Sequence, residues 1–177
     1  MRNGGHVTRL ADVEAIVALV DRTRAKYESY QPIFWRRGPD HLARTRCYFR
    51  FQILNPRTKT LVCERGTSLV GCLVALPTPA PPIFNPGGPT VTIDDFCVSR
   101  DEEWAHAGRA LIEKLRQIAE RKGWHQLVAV NAAADLPKAR FLEGIGLSIA
   151  STWSVGTFDR LVSPGTAPLV PRSDGSD

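Results

Sequence analysis

The chain has 177 residues, of which 43% are hydrophobic and 23% charged, and its formal net charge is +5. That length predicts one domain with a real core, and the composition excludes a disordered or fibrous chain. No apolar run approaches the roughly 20 residues that span a bilayer, and MRNGGHVTRL lacks the apolar core of a secretory signal. No membrane partner and a cytoplasmic location are therefore expected.

In chain order, HVTRL (6–10) suits a short strand. Asp12 is placed to cap a helix whose apolar face is Val13, Ile16, Val17 and Val20, running to about Tyr27. QPIFWRRGP is a loop broken by Pro32, Gly38 and Pro39, after which Asp40 caps a second helix over HLARTRCYFRFQI. TKTLVCERGTSLVGCLVALP predicts a β-hairpin turning at Arg65-Gly66-Thr67-Ser68. PTPAPPIFNPGGP carries six prolines and two adjacent glycines, which rules out helix and central strand.

The most informative stretch is 90–122, TVTIDDFCVSRDEEWAHAGRALIEKLRQIAERK. A β-branched run passes through a turn at Gly108 into an amphipathic helix with Leu111, Ile112, Leu115, Ile118 and Ala119 on one side, stopped at Gly123. First-turn N–H groups of a helix are unpaired and carry partial positive charge, which suits a pyrophosphate. Asp94 and Asp95 lie upstream on the strand as potential bases. HQLVAVNA is then a buried-type strand, DLPKARFLEGIG a short helix with Pro137 in its first turn, and Leu147 to Phe158 a last strand region. The resulting order is β-α-α-β-β-β-α-β-α-β, a mixed sheet with helices on its faces. Residues 1–160 form the expected domain and 161–177 a disordered tail, whose LVPRS resembles a protease cleavage sequence.

The cysteines, Cys47, Cys63, Cys72 and Cys97, form no CxxC pair and have no His cluster beside them. They read as reduced small hydrophobes, with no metal site. Basic residues gather at Arg22, Arg24, Lys26, Arg36, Arg37, Arg44, Arg46, Arg50 and Arg57. A nucleic-acid footprint and a solvated face or funnel for an anionic ligand both fit, and the lack of any nucleic-acid motif favours the latter.

This order, with its phosphate-type turn after the fourth strand, resembles the GNAT superfamily of N-acetyltransferases over roughly Val7 to Phe158. Phe96-Cys97-Val98 matches the strand end, Glu103 to Gly108 the cofactor loop, and Arg109-Ala110-Leu111 its continuation. Asp135-Leu136-Pro137-Lys138-Ala139-Arg140-Phe141-Leu142, closing with Gly146-Leu147, matches a second family feature. The loop is degenerate: His106 stands in the place of a glycine and Glu103 in that of a cationic or amide residue. Leu142 takes the place of a tyrosine that often protonates the leaving thiolate.

The resemblance implies an α/β (α+β) fold with a mixed, centrally splayed sheet flanked by helices. It also implies acetyl-CoA as cofactor and direct attack of a small-molecule primary amine on the thioester in a ternary complex. Cys97 and Val98 would lie along the pantetheine arm, a backbone N–H near Val98 would hold the oxyanion, and the amides of Trp104, Ala105, His106, Ala107, Gly108 and Arg109 would hold the pyrophosphate. Asn131 would be a further cofactor contact or a strand-end cap, while Lys138 and Arg140 could reach the coenzyme's phosphates but read first as solvated helix charges. Asp95, sharing strand parity with Cys97, is the first candidate base and Asp94 the second, since alternate residues face opposite sides. Either could instead pair with an arginine or accept backbone bonds. Phe34 and Trp35 are candidate acceptor contacts or core plugs, and the 77–89 loop could wall the same cleft. The alternatives are a non-catalytic acyl-CoA-binding module and a basic nucleic-acid-associated protein. A homodimer is left open.

Overall fold

The computed structural model describes residues 5–79 and 83–161. Its elements are β1 (Gly5–Val7), α1 (Val13–Tyr30), α2 (His41–Leu54), β2 (Lys59–Arg65), β3 (Ser68–Thr78), β4 (Thr90–Val98), α3 (Ala107–Lys122), β5 (Gln126–Ala129) and α4 (Leu136–Gly144). Short 3-10 turns occupy Leu10–Asp12, Asp101–Ala105 and Phe158–Arg160. The five strands form one sheet in sequential order, antiparallel from β1 to β4 and parallel between β4 and β5. This is the mixed α/β sheet flanked by helices that the sequence predicts.

Strand alternation builds a core on each face of the sheet. Leu61, Leu73, Ala75, Ile93 and Phe96 meet Leu111, Leu115 and Ile118 of α3 and Leu142 of α4. Val62, Cys72, Val74 and Cys97 meet Val13, Ile16, Val17 and Val20 of α1 and Phe49 of α2. Each such buried side chain contributes about 1.5–3 kcal/mol, so both helical layers are fixed by their own apolar stripes. α3 ends where expected, with Gly123 in the left-handed region at φ 64° and its N–H returned to the last turn.

Several boundaries differ from the sequence expectation. β1 starts at Gly5 and stops at Val7, α1 extends to Tyr30, and β5 ends at Ala129. Asp12 and Asp40 precede their helices without capping them by side chain. Asp12 accepts the Arg9 N–H at 2.7 Å and Asp40 accepts Arg44 Nε at 2.6 Å. The expected last strand is absent: Leu147 to Thr157 has no regular structure and Phe158 opens a 3-10 turn. Ile149 and Trp153 are exposed there, while Leu147 at its start still packs against the α3-face core. The 161–177 tail lies outside the described residues beyond Leu161. No helix among the described residues is long and apolar enough to cross a membrane.

Candidate active site

β4 and β5 pair only from Thr90–Ile93 against Gln126–Ala129. The Val130 N–H to Ile93 carbonyl bond, at 3.2 Å, closes the pairing, and beyond it the strands part. At the same level β4 is bulged. Leu73 faces Phe96 while Ala75 faces Ile93, so Asp94 and Asp95 together oppose Val74.

The bulge corrects the parity expectation for the two aspartates. Ile93 and Phe96 stay on the α3 face, and the extra residue turns both carboxylates to the α1–α2 face. Asp94 accepts Tyr48 Oη at 2.7 Å, and Asp95 accepts Arg24 Nη2 at 3.1 and 3.3 Å. Thr45 Oγ1 steadies the same guanidinium at 2.6 Å. Burial raises the Asp95 carboxyl above the ordinary carboxylate range, against the opposing pull of Arg24. Both carboxylates therefore lie on one face, each held by a partner from the helices above it.

The open edge of β4 supplies a donor. Ser99 N–H bonds the Val70 carbonyl at 2.9 Å. Alternation of an antiparallel ladder then turns the Val98 N–H to the opposite edge, toward the gap left by β5. Cys97 is buried on the α1 face, its thiol pushed up to about 12 by desolvation. It lines the cleft without being a nucleophile.

The loop into α3 is built on Trp104. Its ring stacks on Phe141 at 5.1 Å and meets Phe96 edge-on at 4.9 Å. Gly108 permits this packing: a Cβ there would lie 2.8 Å from Trp104 Cε3 and 3.2 Å from Phe141 Cζ. Glu103 is 2% exposed and turned away from the helix start, held by Arg65 at 2.8–2.9 Å and Arg100 at 3.5 Å. Its charge is thus neutralised toward the β2–β3 hairpin. The His106 N–H is spent on the Glu103 carbonyl at 3.2 Å. The first α3 amide bonded back to the loop is Ala110, to the His106 carbonyl. Ala107, Gly108 and Arg109 precede it with first-turn N–H groups free of helical partners. Of the predicted stretch, these three residues carry the unpaired helix-start amides, Trp104 packs behind them, and Ala105 and His106 are exposed beside them.

The sequence reading missed Lys138, treating it as a solvated helix charge. It is 2% exposed. Its Nζ donates to the Val130 carbonyl at 2.8 Å and lies 5.8 Å from the Phe96 ring centroid, in the gap between β4 and β5. Burial lowers its ammonium below the usual lysine range. A Pro-x-Ala-like motif gives no hint of this; the signal was a lysine four residues before the core residue Leu142, on the same helix face. Near it, Asp135 accepts Tyr27 Oη at 3.0 Å and sits 3.6 Å from Lys26 Nζ, tying α1 to the start of α4. Asn131 follows the end of β5, and its Oδ1 accepts no hydrogen bond. A capping role for that oxygen is therefore excluded in this structure.

Two cavities flank these groups. One of about 120 Å³ is lined by Lys26, Cys97, Val98, Arg100, Trp104 and Asp135, next to the start of α3. A second, of about 720 Å³, lies farther down the sheet, between the end of α2 and the proline-rich loop. Its walls include Phe51, Gln52, Leu76, Thr78, Pro86 and Pro89. Gln52 is one helical turn from Tyr48, the partner of Asp94. Ile83 and Phe84 point to solvent and do not line it. Phe34 and Trp35 form a separate aromatic cluster, with Trp35 against Tyr27 at 5.2 Å and Phe34 against Trp153 at 5.9 Å. Many of the clustered cations are committed internally: Arg24, Lys26, Arg37, Arg44 and Arg46 all form ion pairs.

The fold is shared by solved structures of low sequence identity. A tetramutant of the BH1408 protein from Bacillus halodurans superposes with TM-score 0.74 at 15% identity, covering 86% of this chain and 98% of that one. A predicted acetyltransferase with acetyl-CoA from Clostridium acetobutylicum gives 0.66 at 13% identity, covering 86% and 94%. The aminoglycoside 6'-N-acetyltransferase AAC(6')-Ih from Acinetobacter baumannii gives 0.64 at 12% identity, covering 90% and 98%. No curated protein matches the sequence. The family model described as Acetyltransferase (GNAT) family matches residues 20–146. That span holds α2, β2 to β5, the bulge, α3 and α4, and the chain belongs to this acetyltransferase family.

Proposed function

We propose that this chain, as one domain over residues 1–160, transfers an acetyl group from acetyl-CoA to the primary amine of a small molecule. The observation that carries the reading is the gap between β4 and β5. It has an amide donor of Val98 on its edge, a helix start at one end and two carboxylates on the face beyond. The residues fit the coenzyme. The Ala107, Gly108 and Arg109 amides would hold the pyrophosphate, with Arg100 and Lys26 adding positive charge. Val98 and Cys97 would flank the pantetheine arm, and Asn131 Oδ1 would gain a donor from its amides.

Bound acetyl-CoA supplies an activated acetyl group. The chain's own groups orient the reaction and move its protons. The Val98 N–H meets the negative charge that develops on the carbonyl oxygen, a contribution of about 3–4 kcal/mol for a preorganised donor. Asp94 and Asp95 receive the acceptor ammonium, which releases one proton to solvent to become a free amine, and Asp95 Oδ takes the second proton as the new bond forms. Arg24 and Thr45 fix the orientation of that carboxylate. The larger cavity suits the acceptor's body. Its size is in the range of small-molecule sites, its walls are mainly apolar, and Arg57 is the one charged residue lining it among the described residues. This favours an amine with one ammonium and an apolar body over a polycation.

The test is thermal stabilisation by acetyl-CoA, followed by thiol release over a panel of aryl-alkyl amines, polyamines and aminoglycosides. Saturable stabilisation and turnover on the aryl-alkyl amines are expected. Binding without turnover on any amine would leave a CoA-binding module. No stabilisation at millimolar coenzyme, with salt-sensitive DNA binding, would favour the nucleic-acid reading.

A further inference from the structure

We propose that Lys138 is the acid that protonates the sulfur leaving the thioester. The assignment rests on reading the β4–β5 gap as an acyl-CoA site. Leu142 is a core residue packed in the α3-face cluster, so no hydroxyl is available at that position. Lys138 lies one turn earlier on the same face of α4, and its longer side chain reaches past Phe96 to the Val130 carbonyl.

The burial itself calls for an account. A lysine on a surface helix normally runs its stem along apolar surface and leaves its ammonium in water. Here the whole side chain is enclosed, the only lysine among the described residues to be so. No carboxylate among the described residues forms a direct ion pair with it. Asp135 is engaged instead by Tyr27 and Lys26. An ammonium has three donors; one goes to Val130, and the group stands where the two strands separate. Removing such a cation from water costs several kcal/mol, a cost that a merely structural position avoids with an apolar residue. Desolvation also lowers the ammonium pKa toward the thiol reference of about 8.5, which brings donor and acceptor closer to a match.

The step balances. The acceptor ammonium first releases one proton to solvent; the resulting amine nitrogen forms its bond to the acetyl carbon and loses a second proton to Asp95. The carbon–sulfur bond breaks with its electron pair on sulfur, and sulfur takes a proton from Lys138 Nζ. Water returns a proton from Asp95 to Lys138 after release, so the chain is unchanged.

The test compares CoA with desulfo-CoA by calorimetry across pH, for the full chain, Lys138→Met and Lys138→Arg. An ammonium beside the sulfur lowers the bound thiol's pKa. The unsubstituted chain should therefore increasingly prefer CoA as pH rises into the thiol's titration range. Lys138→Met should lose that preference, and its turnover should fall by about 10²-fold or more with little change in KM for acetyl-CoA. Its thermal midpoint at neutral pH should rise, because a lysine with a depressed folded pKa adds stability only as pH climbs through that pKa toward the unfolded value. Lys138→Arg keeps a cation that does not titrate, so it should keep the preference for CoA and still lose turnover. That variant carries the test if the Met chain fails to fold. An unaltered preference in Lys138→Met overturns the assignment. So does a wild-type chain that binds CoA with no such preference, and it leaves the acyl-CoA site intact. No CoA binding at all overturns both.

Discussion

Glu103 separates what the sequence suggests from what the fold does. Read as a sequence, an acid in the phosphate loop repels the coenzyme, and Glu103→Gln should tighten CoA binding. In the structure the carboxylate faces Arg65, with Oε1 2.8 Å from Nη1 and Oε2 2.9 Å from Nη2, at 2% exposure. Glutamine keeps the shape but sets an amide NH₂ against a guanidinium N–H. The lost charge-assisted bonds are worth about 1.5–3 kcal/mol when the partner is trapped. Arg65 is 51% exposed and can turn to water, so the expected cost is at the low end, about 1.5–2 kcal/mol. For a chain of this size that is a fall in thermal midpoint of about 3–8 °C. Because Glu103 holds the 3-10 turn that leads into α3, CoA affinity should fall with it. Urea unfolding and calorimetric CoA titration check the two effects. Unchanged stability with tighter CoA binding would refute the argument that this charge is structural.

Gly108→Ala places a Cβ within 2.8 Å of Trp104 Cε3. The overpacking cost of about 1–3 kcal/mol exceeds the roughly 1 kcal/mol gained in helix propensity. CoA should bind more weakly and Trp104 fluorescence should shift; equal affinity and an unmoved spectrum would show that the ring pair gives way freely. The acid limb of kcat should lie above the ordinary carboxylate range, because Asp95 must be deprotonated to act and burial raises its pKa. Asp95→Asn should cut turnover by about 10²-fold or more and remove that limb with CoA affinity preserved; a limb that persists would move the base elsewhere. For stability the sign is opposite to that of an ordinary ion pair. A carboxylate with a raised folded pKa contributes below its unfolded pKa and loses that contribution as pH rises through the folded value. Acidification across this window should therefore not loosen the fold through Asp95, which urea midpoints of the two chains at several pH values can check.

Much of the fold was legible because it rests on period and punctuation. The apolar spacing of α1 and α3, the hairpin turn at Gly66 and the stop at Gly123 are local signals, and all are in the structure. What was illegible depended on distant partners. Asp12 and Asp40 have the right chemistry for caps, yet nearer donors took their oxygens. Leu147 to Phe158 has strand composition but no pairing. Nothing in TIDDFC announces a bulge, since it exists only against Val74 on the neighbouring strand. Lys138 looked solvated because helical spacing does not reveal that the strands beneath α4 have parted. Phe34 and Trp35 did prove to pack on neighbours, through contacts with Tyr27 and Trp153 that no local pattern encodes.

The bulge has a consequence for how this segment tolerates change. Substituting either aspartate alters chemistry and leaves the strand's count intact. Deleting either one removes the bulge, restores simple alternation with one residue opposite Val74, and leaves every residue from Phe96 onward on its present face. Phe96 would stay against Trp104 and Phe141, Cys97 in the α1 core, and the Val98 N–H toward the open edge. What the extra residue adds is the second carboxylate: the strand can lose one aspartate and keep its downstream faces, but it can then no longer present two acids side by side on the α1–α2 face.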